Sequence, residues 1–209
     1  MQSFKSTLSL ALLSFSTLFL FGCSEYGADG KPVIYLYPTE EETINVKLNY
    51  DGELTSTYPT YNNGWTVDAK PDGTLTNLED NKEYSYLFWE GNPNVDLNIS
   101  EGFVVKDEDT KDFLQEKLEY IGLTPKEYNE FIVYWLPILQ QNKYNLISFA
   151  GEEYTNYAKL EITPKPDSIL RVMMIYKPLK KPIEIKKQEL KQFERIGFSV
   201  VEWGGRQVD

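Results

Sequence analysis

Two glutamates are the strongest candidates for acid–base chemistry in this 209-residue sequence. Glu90 lies within the segment Trp89–Gly91, and Glu202 begins the segment Glu202–Gly204, so each adjoins a tryptophan and closely precedes a glycine. Paired carboxylates cleave glycosidic bonds, and a neighbouring indole can raise the pKa of an acid by desolvation. This pattern gives the hypothesis of a hydrolase that acts on cell-wall or extracellular glycan.

The same two glutamates also fit a structural role. Each can end a strand and bind backbone amides or an arginine, while its neighbouring tryptophan fills the core. Candidate arginine partners are Arg171, Arg195 and Arg206. Ion-pair networks also produce conspicuous buried carboxylates. We favour this interpretation, in which neither Glu90 nor Glu202 is catalytic.

The composition excludes most other catalytic systems. The sequence contains no histidine, which removes Ser-His-Asp and Cys-His nucleophile systems and nearly every common zinc site. It also contains no glycine-rich phosphate loop. The acidic cluster 107–109 lacks the spacing and the glycine of a calcium loop, and it more simply places negative charge at a helix start. We therefore expect no metal and no cofactor.

Tryptophans could instead form a binding face for a protein or glycan partner. Trp65, Trp89 and Trp203 are the candidates, because indole rings offer large rigid surfaces. Their positions in strands predict that most of them belong to the core. Trp65 follows the turn signal Asn62–Gly64, which makes it the best candidate for exposure.

The first 22 residues have the pattern of a secretory signal. Lys5 supplies a short basic region, and residues 6–22 are uncharged and mostly apolar. This run falls short of the ~20 apolar residues that span a bilayer comfortably, and serines and threonines dilute it. We predict a cleaved signal peptide over residues 1–22, with a retained membrane helix as the alternative.

Cys23 follows this segment directly. Leu20, Gly22 and Cys23 resemble the lipobox of bacterial lipoproteins, in which the cysteine is diacylated and becomes the new amino terminus. Phe21 departs from that pattern, where a smaller residue is usual. Acyl chains contribute about 0.8 kcal/mol per buried CH₂, so two or three of them anchor a protein stably. The sequence predicts a palmitoylated envelope lipoprotein attached at Cys23, and the alternative for this single cysteine is a free thiol.

The remaining chain is acidic, with a formal charge of −11 over the full sequence. Such a protein is a poor candidate for nucleic acid, whose phosphates require clustered Lys and Arg. Anionic lipid headgroups would repel it, so membrane association should come from the anchor on Cys23. Residues 23–31 read as a tether that contains little that could pack. Residues 32–209 have the length of a single globular domain.

Period-two alternation and short apolar runs predict strands in both halves of this domain. The predicted strands are 33–37, 44–48, 54–58, 65–69, 84–89, 146–150, 158–162, 170–176, 183–185 and 198–203. The order of these elements indicates an α+β domain with a mainly antiparallel sheet.

Two helices are predicted in the middle of the chain. Residues 108–121 carry a helical apolar stripe that stops at Gly122, and Thr124 then begins a capping box for a second helix. Pro137 should kink or end that helix near Tyr134. We therefore predict an αα-hairpin inserted between strands, and a short third helix over residues 190–196.

Four sequence blocks resemble the signature of an uncharacterised bacterial protein family. They are Lys31–Pro38 (KPVIYLYP), Leu87–Gly91 (LFWEG), Tyr134–Pro137 (YWLP) and Val201–Gly205 (VEWGG). The resemblance extends over nearly the whole chain after the signal peptide. It implies membership of that family and no particular activity.

Two functions remain open from the sequence. One is a non-enzymatic module of the cell envelope that faces outward from the cytoplasm and binds a protein or glycan partner. The other is a glycan hydrolase that uses Glu90 and Glu202. Because the sequence contains no histidine and no complete catalytic motif, we favour the first.

Overall fold

The computed structural model describes residues 27–209. Within this range the chain forms thirteen strands and three α-helices. The strands are β1 Gly30–Tyr37, β2 Glu42–Tyr50, β3 Gly52–Tyr58, β4 Trp65–Ala69, β5 Leu75–Asn77, β6 Lys82–Tyr84, β7 Leu87–Pro93, β8 Glu101–Lys106, β9 Tyr144–Ala150, β10 Ala158–Thr163, β11 Ser168–Leu179, β12 Lys186–Lys187 and β13 Ser199–Gln207. The helices are α1 Thr110–Ile121, α2 Pro125–Leu139 and α3 Glu152–Tyr157.

The strands of this range form two sheets. The eight-stranded sheet has the order β12-β8-β9-β11-β13-β1-β7-β3, and the five-stranded sheet has the order β10-β2-β4-β5-β6. Strands β11 and β13 pair in parallel, as do β12 and β8, whereas the other strand pairs are antiparallel. The predicted α+β class with mostly antiparallel pairing is therefore confirmed.

The eight-stranded sheet separates two apolar cores. Alternate residues of a strand point to opposite faces, so β1 directs Ile34 and Leu36 toward the five-stranded sheet, and Val33 and Tyr35 toward α1 and α2. The molecule consequently has a sheet-side core between the two sheets and a helix-side core beneath the helices. Both faces of the central strands are buried.

Helix α2 packs against the centre of this sheet through Trp135. A Cβ atom on Gly205 would lie 2.6 Å from the Trp135 ring, so the ring can rest there only because residue 205 has no side chain. The predicted capping box is present at Thr124 and Glu127. The prediction that Pro137 ends or kinks the helix near Tyr134 is wrong about the end, since α2 continues to Leu139. Pro137 lies in the last turn, where few residues follow it.

The connection from β11 to β13 crosses the helix side without a helix. Residues 188–197, here called the strap, form neither a helix nor a strand, so the predicted helix over 190–196 is wrong. Long-range contacts hold the strap instead. The Phe193 N–H donates to the Ile121 carbonyl at the end of α1 at 3.0 Å, and Arg195 binds Glu127 on α2. Parallel neighbours require such a crossover, which is more commonly helical.

The amino-terminal end of the described chain is already fixed in the fold. Strand β1 begins at Gly30, and Asp29 is fully buried and pairs with Gly91. Residues 29–31, which the sequence placed in the tether, thus belong to the folded part. The predicted signal peptide and Cys23 lie outside the described residues. Between residues 27 and 209, no helix is long and apolar enough to cross a membrane.

Candidate functional site

Glu202 lies on β13 at the centre of the eight-stranded sheet and is 0% exposed. Its Oε2 accepts a hydrogen bond at 2.5 Å from Nε of Arg171, which stands directly opposite on β11. Its Oε1 accepts a hydrogen bond at 3.1 Å from Trp89 Nε1. Burial alone would lower the pKa of Arg171, but the adjacent Glu202 carboxylate raises that pKa above its usual range. Both carboxylate oxygens of Glu202 are therefore occupied by buried donors.

Glu90 lies on the other face of the same sheet. Trp89 reaches Glu202 in the sheet-side core, and the next residue of β7 necessarily points to the helix side. There Glu90 Oε1 accepts a hydrogen bond at 3.1 Å from the Lys31 backbone N–H. Two carboxylates can cleave a glycosidic bond only when they flank the same bond. The hypothesis that Glu90 and Glu202 form a catalytic pair is therefore wrong.

A third carboxylate, Asp29, is the centre of a buried polar cluster. Tyr50 OH donates to its Oδ2 at 2.9 Å, and Tyr157 OH donates to its Oδ1 at 3.0 Å. Burial raises the pKa of Asp29 to about 6, although the two tyrosine hydrogen bonds and the nearby Arg206 lower it. Sequence reasoning missed this group, because a single aspartate beside glycine gives no local sign that tyrosines far along the chain will surround it.

The three candidate binding tryptophans are all buried. Trp65 is 2% exposed, and its Nε1 donates to the Pro59 carbonyl at 3.0 Å. Trp89 and Trp203 are 0% exposed, on opposite sides of the eight-stranded sheet. The expectation that Trp65 is exposed is wrong, because the chain after Tyr58 folds back over the indole. These rings stabilise the two cores and present no surface to a partner.

A concave surface lies beside β8, near the edge of the eight-stranded sheet. Two adjoining hollows of about 800 and 760 Å³ share Phe103, Glu116, Lys117 and Lys187 among their lining residues. We call this surface the β8 groove. Its floor is β8 over residues 102–105, and its walls are the outer side of α1 and residues 183–190. The sequence did not predict β8, because Phe103–Val105 is too short an apolar run to stand out.

Aromatic and aliphatic side chains form the apolar part of the groove. The rings of Phe103 and Phe113 have their centroids 5.3 Å apart, and Lys117 Nζ lies 5.6 Å from the Phe103 centroid. Ile183 is 44% exposed on the opposite wall. Concave sites that combine apolar walls with a few polar groups are typical of binding surfaces.

The backbone of β8 is partly unpaired on its outer side. The Gln188 side chain hydrogen bonds both the N–H and the C=O of Phe149. The backbone polar groups of this β9 residue therefore point to the side of β9 where β8 lies. The backbone N–H and C=O of Ile147, two positions earlier, must point the same way. Ile147 pairs with Phe103, so the backbone groups of Phe103 face β9. The backbone N–H and C=O of Val104 therefore point outward, away from β9 and toward the groove. Strand β12 pairs with β8 only at residues 101–102, so within residues 27–209 no strand covers Val104.

Comparison with known proteins places this chain in a family. It is 45% identical over 80 residues to a Butyrivibrio fibrisolvens protein called "Uncharacterized protein in bglA 3'region", which is 34% of this chain and 81% of that protein. The chain belongs to the family of that protein. No family model and no solved structure matches the chain. The relative's name gives no activity, so the functional argument depends on the geometry described above. Among residues 27–209, no group of three or more acidic or cysteine side chains could hold a metal ion.

Proposed function

We propose that this protein is a lipid-anchored, non-enzymatic binding module of the bacterial cell envelope. The lipobox-like segment that ends at Cys23 supports the anchor. The position of Asp29 supports a short connection, because the chain enters the folded core six residues after Cys23. Six residues span at most about 20 Å when fully extended. The domain would thus stay close to the membrane surface on the outer side.

The β8 groove is the observation that carries the binding role. It exposes apolar rings, charged groups and unpaired strand backbone on one concave surface. The sequence-based hydrolase alternative has no comparable support, since its two carboxylates lie on opposite faces of a sheet. We propose that partners bind at this groove, and that the buried tryptophans only stabilise the fold.

We further propose that α1 and α2 act as one αα-hairpin that is inserted between β8 and β9. They are consecutive and are joined by residues 122–124. We also propose that the four family-like blocks form one structural unit. Three of them lie on the neighbouring strands β13, β1 and β7, and the fourth supplies Trp135, which packs on Gly205. A signature of this kind would preserve the centre of the fold and leave the groove free to vary.

The anchor is tested by replacing its proposed attachment site. In cells fed a clickable fatty acid, Cys23→Ser should abolish labelling of this protein, because it removes the thiol that is acylated. The neighbouring change Ser24→Ala is the matched control and should keep the label. Incorporation into the Cys23→Ser chain at the wild-type level would refute the lipoprotein assignment.

A further inference from the structure

We propose that the β8 groove binds an extended, positively charged segment of a partner protein, which pairs with β8 as an added strand. This inference rests on the proposed binding function and specifies its partner. Strand addition uses main-chain hydrogen bonds for affinity and pockets for alternate side chains for selectivity. The groove offers both kinds of contact.

The main-chain contacts come from Val104. Its N–H and C=O point away from β9, and β12 ends its pairing two residues earlier, at Gly102. An open strand edge is a template for another extended chain. The Gln188 amide side chain already behaves in this way toward Phe149, where it replaces a missing strand. An incoming segment would make backbone contacts of the same kind one strand further out, with Val104 on the outer edge of β8.

The side-chain contacts come from the two walls. Residues at every second position of an added strand would face α1, where the Phe103 and Phe113 rings contact each other in a tilted arrangement. Ile183 on the other wall remains 44% exposed. Alternating apolar residues in the partner would cover these surfaces.

The charge of the groove selects the partner. Among residues 27–209, six carboxylates and two ammonium groups line the groove; the carboxylates are Asp109, Asp112, Glu116, Glu119, Glu184 and Glu189. The two lysines are Lys117, which is paired with Glu116 at 2.6 Å, and Lys187. This excess of negative charge attracts a cationic segment and repels nucleic acid and anionic lipid.

In the experiment, the purified full chain is titrated with a synthetic hexapeptide of alternating lysine and valine, and calorimetry measures the heat of binding. A hexapeptide of alternating glutamate and valine is the charge control. Val104→Pro removes the outward N–H and leaves the β9 hydrogen bonds intact, since proline is tolerated on an open edge. Val104→Thr keeps the N–H and is its matched control.

We expect saturable binding of the lysine peptide to wild type and unchanged affinity for Val104→Thr. Binding to Val104→Pro should be about tenfold or more weaker, because an edge hydrogen bond is lost and the peptide clashes with the proline ring. Asp109→Asn combined with Glu184→Gln should weaken binding about two- to fivefold, and more at low salt. Glu40→Gln combined with Glu41→Gln removes the same charge outside the groove and should have no effect.

Several results would overturn the proposal. They are no saturable binding, equal binding of the two peptides, or equal affinity of Val104→Pro and Val104→Thr. A concentration-dependent dimer that Val104→Pro abolishes would make a second copy of the chain the occupant instead. If Val104→Pro does not fold, a lysine peptide methylated at alternate backbone nitrogens decides the question: it should bind wild type about tenfold more weakly, and equal binding would refute strand addition.

Failure of this inference is distinguishable from failure of the anchor. Peptide binding is measured in solution and does not require acylation of Cys23. A chain that binds the peptide without incorporating fatty acid would retain the groove and lose the lipoprotein assignment. A chain that incorporates the fatty acid but does not bind the peptide would retain the lipoprotein assignment and lose the inferred binding at the groove.

Discussion

The two sides of the eight-stranded sheet bury charge in different ways. On the sheet side, Glu202 and Arg171 form an ion pair between neighbouring strands, deep in the interior. On the helix side, Glu127 and Arg195 form an ion pair that joins the first turn of α2 to the strap. The chemistry is the same, whereas the surroundings differ.

The surroundings decide what each pair contributes. The Glu202 and Arg171 side chains are 0% and 9% exposed, and Arg171 Nη2 is buried without a partner among the described residues. The Arg195 side chain is 24% exposed and binds both Glu127 oxygens and the Gly122 carbonyl. The sheet-side pair therefore joins two neighbouring strands and has the Trp89 indole as a further donor, whereas the helix-side pair attaches an irregular segment to a helix.

Other donors reinforce this difference. Burial alone would raise the pKa of Glu127, but hydrogen bonds from Arg195 and the Thr124 N–H hold it below its ordinary value. Glu202 has only the Trp89 indole as a further donor among the described residues. Loss of the arginine should consequently be far more costly on the sheet side.

The largest effect is expected for Arg171→Met. This change leaves the Glu202 carboxylate buried without a counter-charge, which should lower the free energy of unfolding by about 3–5 kcal/mol. Urea unfolding followed by circular dichroism measures the loss. The double variant Arg171→Met/Glu202→Leu is the control and should recover part of it, because no lone charge remains. An unchanged midpoint for the single variant would show that the ion pair does not stabilise the fold.

The next effect concerns Asp29, which adds a pH-dependent term to the sheet side. Its pKa is about 6 in the folded chain and 3.8 without burial, so between these values the folded state keeps a proton that the unfolded state has lost. Stability from this group is fully present below about pH 4 and is lost as the pH rises through about 6. The two-unit difference corresponds to a loss of at most about 3 kcal/mol.

Asp29→Asn tests this term. The amide mimics the protonated carboxyl, so the variant should melt near wild type at pH 4 and above wild type at pH 7. Thermal melts of both proteins across this range give the difference directly. Equal melting temperatures at pH 7 would mean that the two tyrosine donors and Arg206 stabilise the carboxylate fully.

Local patterns predicted much of this fold. The alternation from Ile44 to Leu48 indicated β2, and the residues Thr124–Glu127 indicated the start of α2, because the determinants of each element lie within a few positions. The prediction of a helix in the strap was wrong because the determinants of its structure are not local. Leu190 and Phe193 have helical spacing, but contacts with α1 and α2 hold these residues in an irregular segment.

The candidate site was much less predictable than the fold. Glu202 and its possible arginine partners were named from the sequence, yet only the strand register selects Arg171 among three candidates. The β8 groove depends on where residues 183–190 return to the sheet edge, about 80 residues after β8. No periodicity within either segment contains that information.

The smallest effect is expected for Arg195→Met, the counterpart of the Arg171 change on the helix side. Glu127 would keep the Thr124 N–H, which donates to its Oε2 at 2.7 Å, and it would remain at the amino-terminal end of α2, where the helix dipole favours negative charge. The free energy of unfolding should therefore fall by only about 1.5–3 kcal/mol, the usual contribution of a hydrogen bond to a charged group.

A local readout separates this pair from the sheet-side pair. Without Arg195 the strap loses its main attachment to α2, so the Phe193 amide, which donates to Ile121, should exchange its hydrogen faster than in wild type. Amides of β11 and β13 should keep their relative protection, because their pairing does not involve Arg195. Arg195→Lys retains the charge but not the two-pronged contact with Glu127, and it should give an intermediate rate. A loss of stability as large as that of Arg171→Met, spread evenly over all strands, would instead make the Glu127 pair as central to the fold as the Glu202 pair.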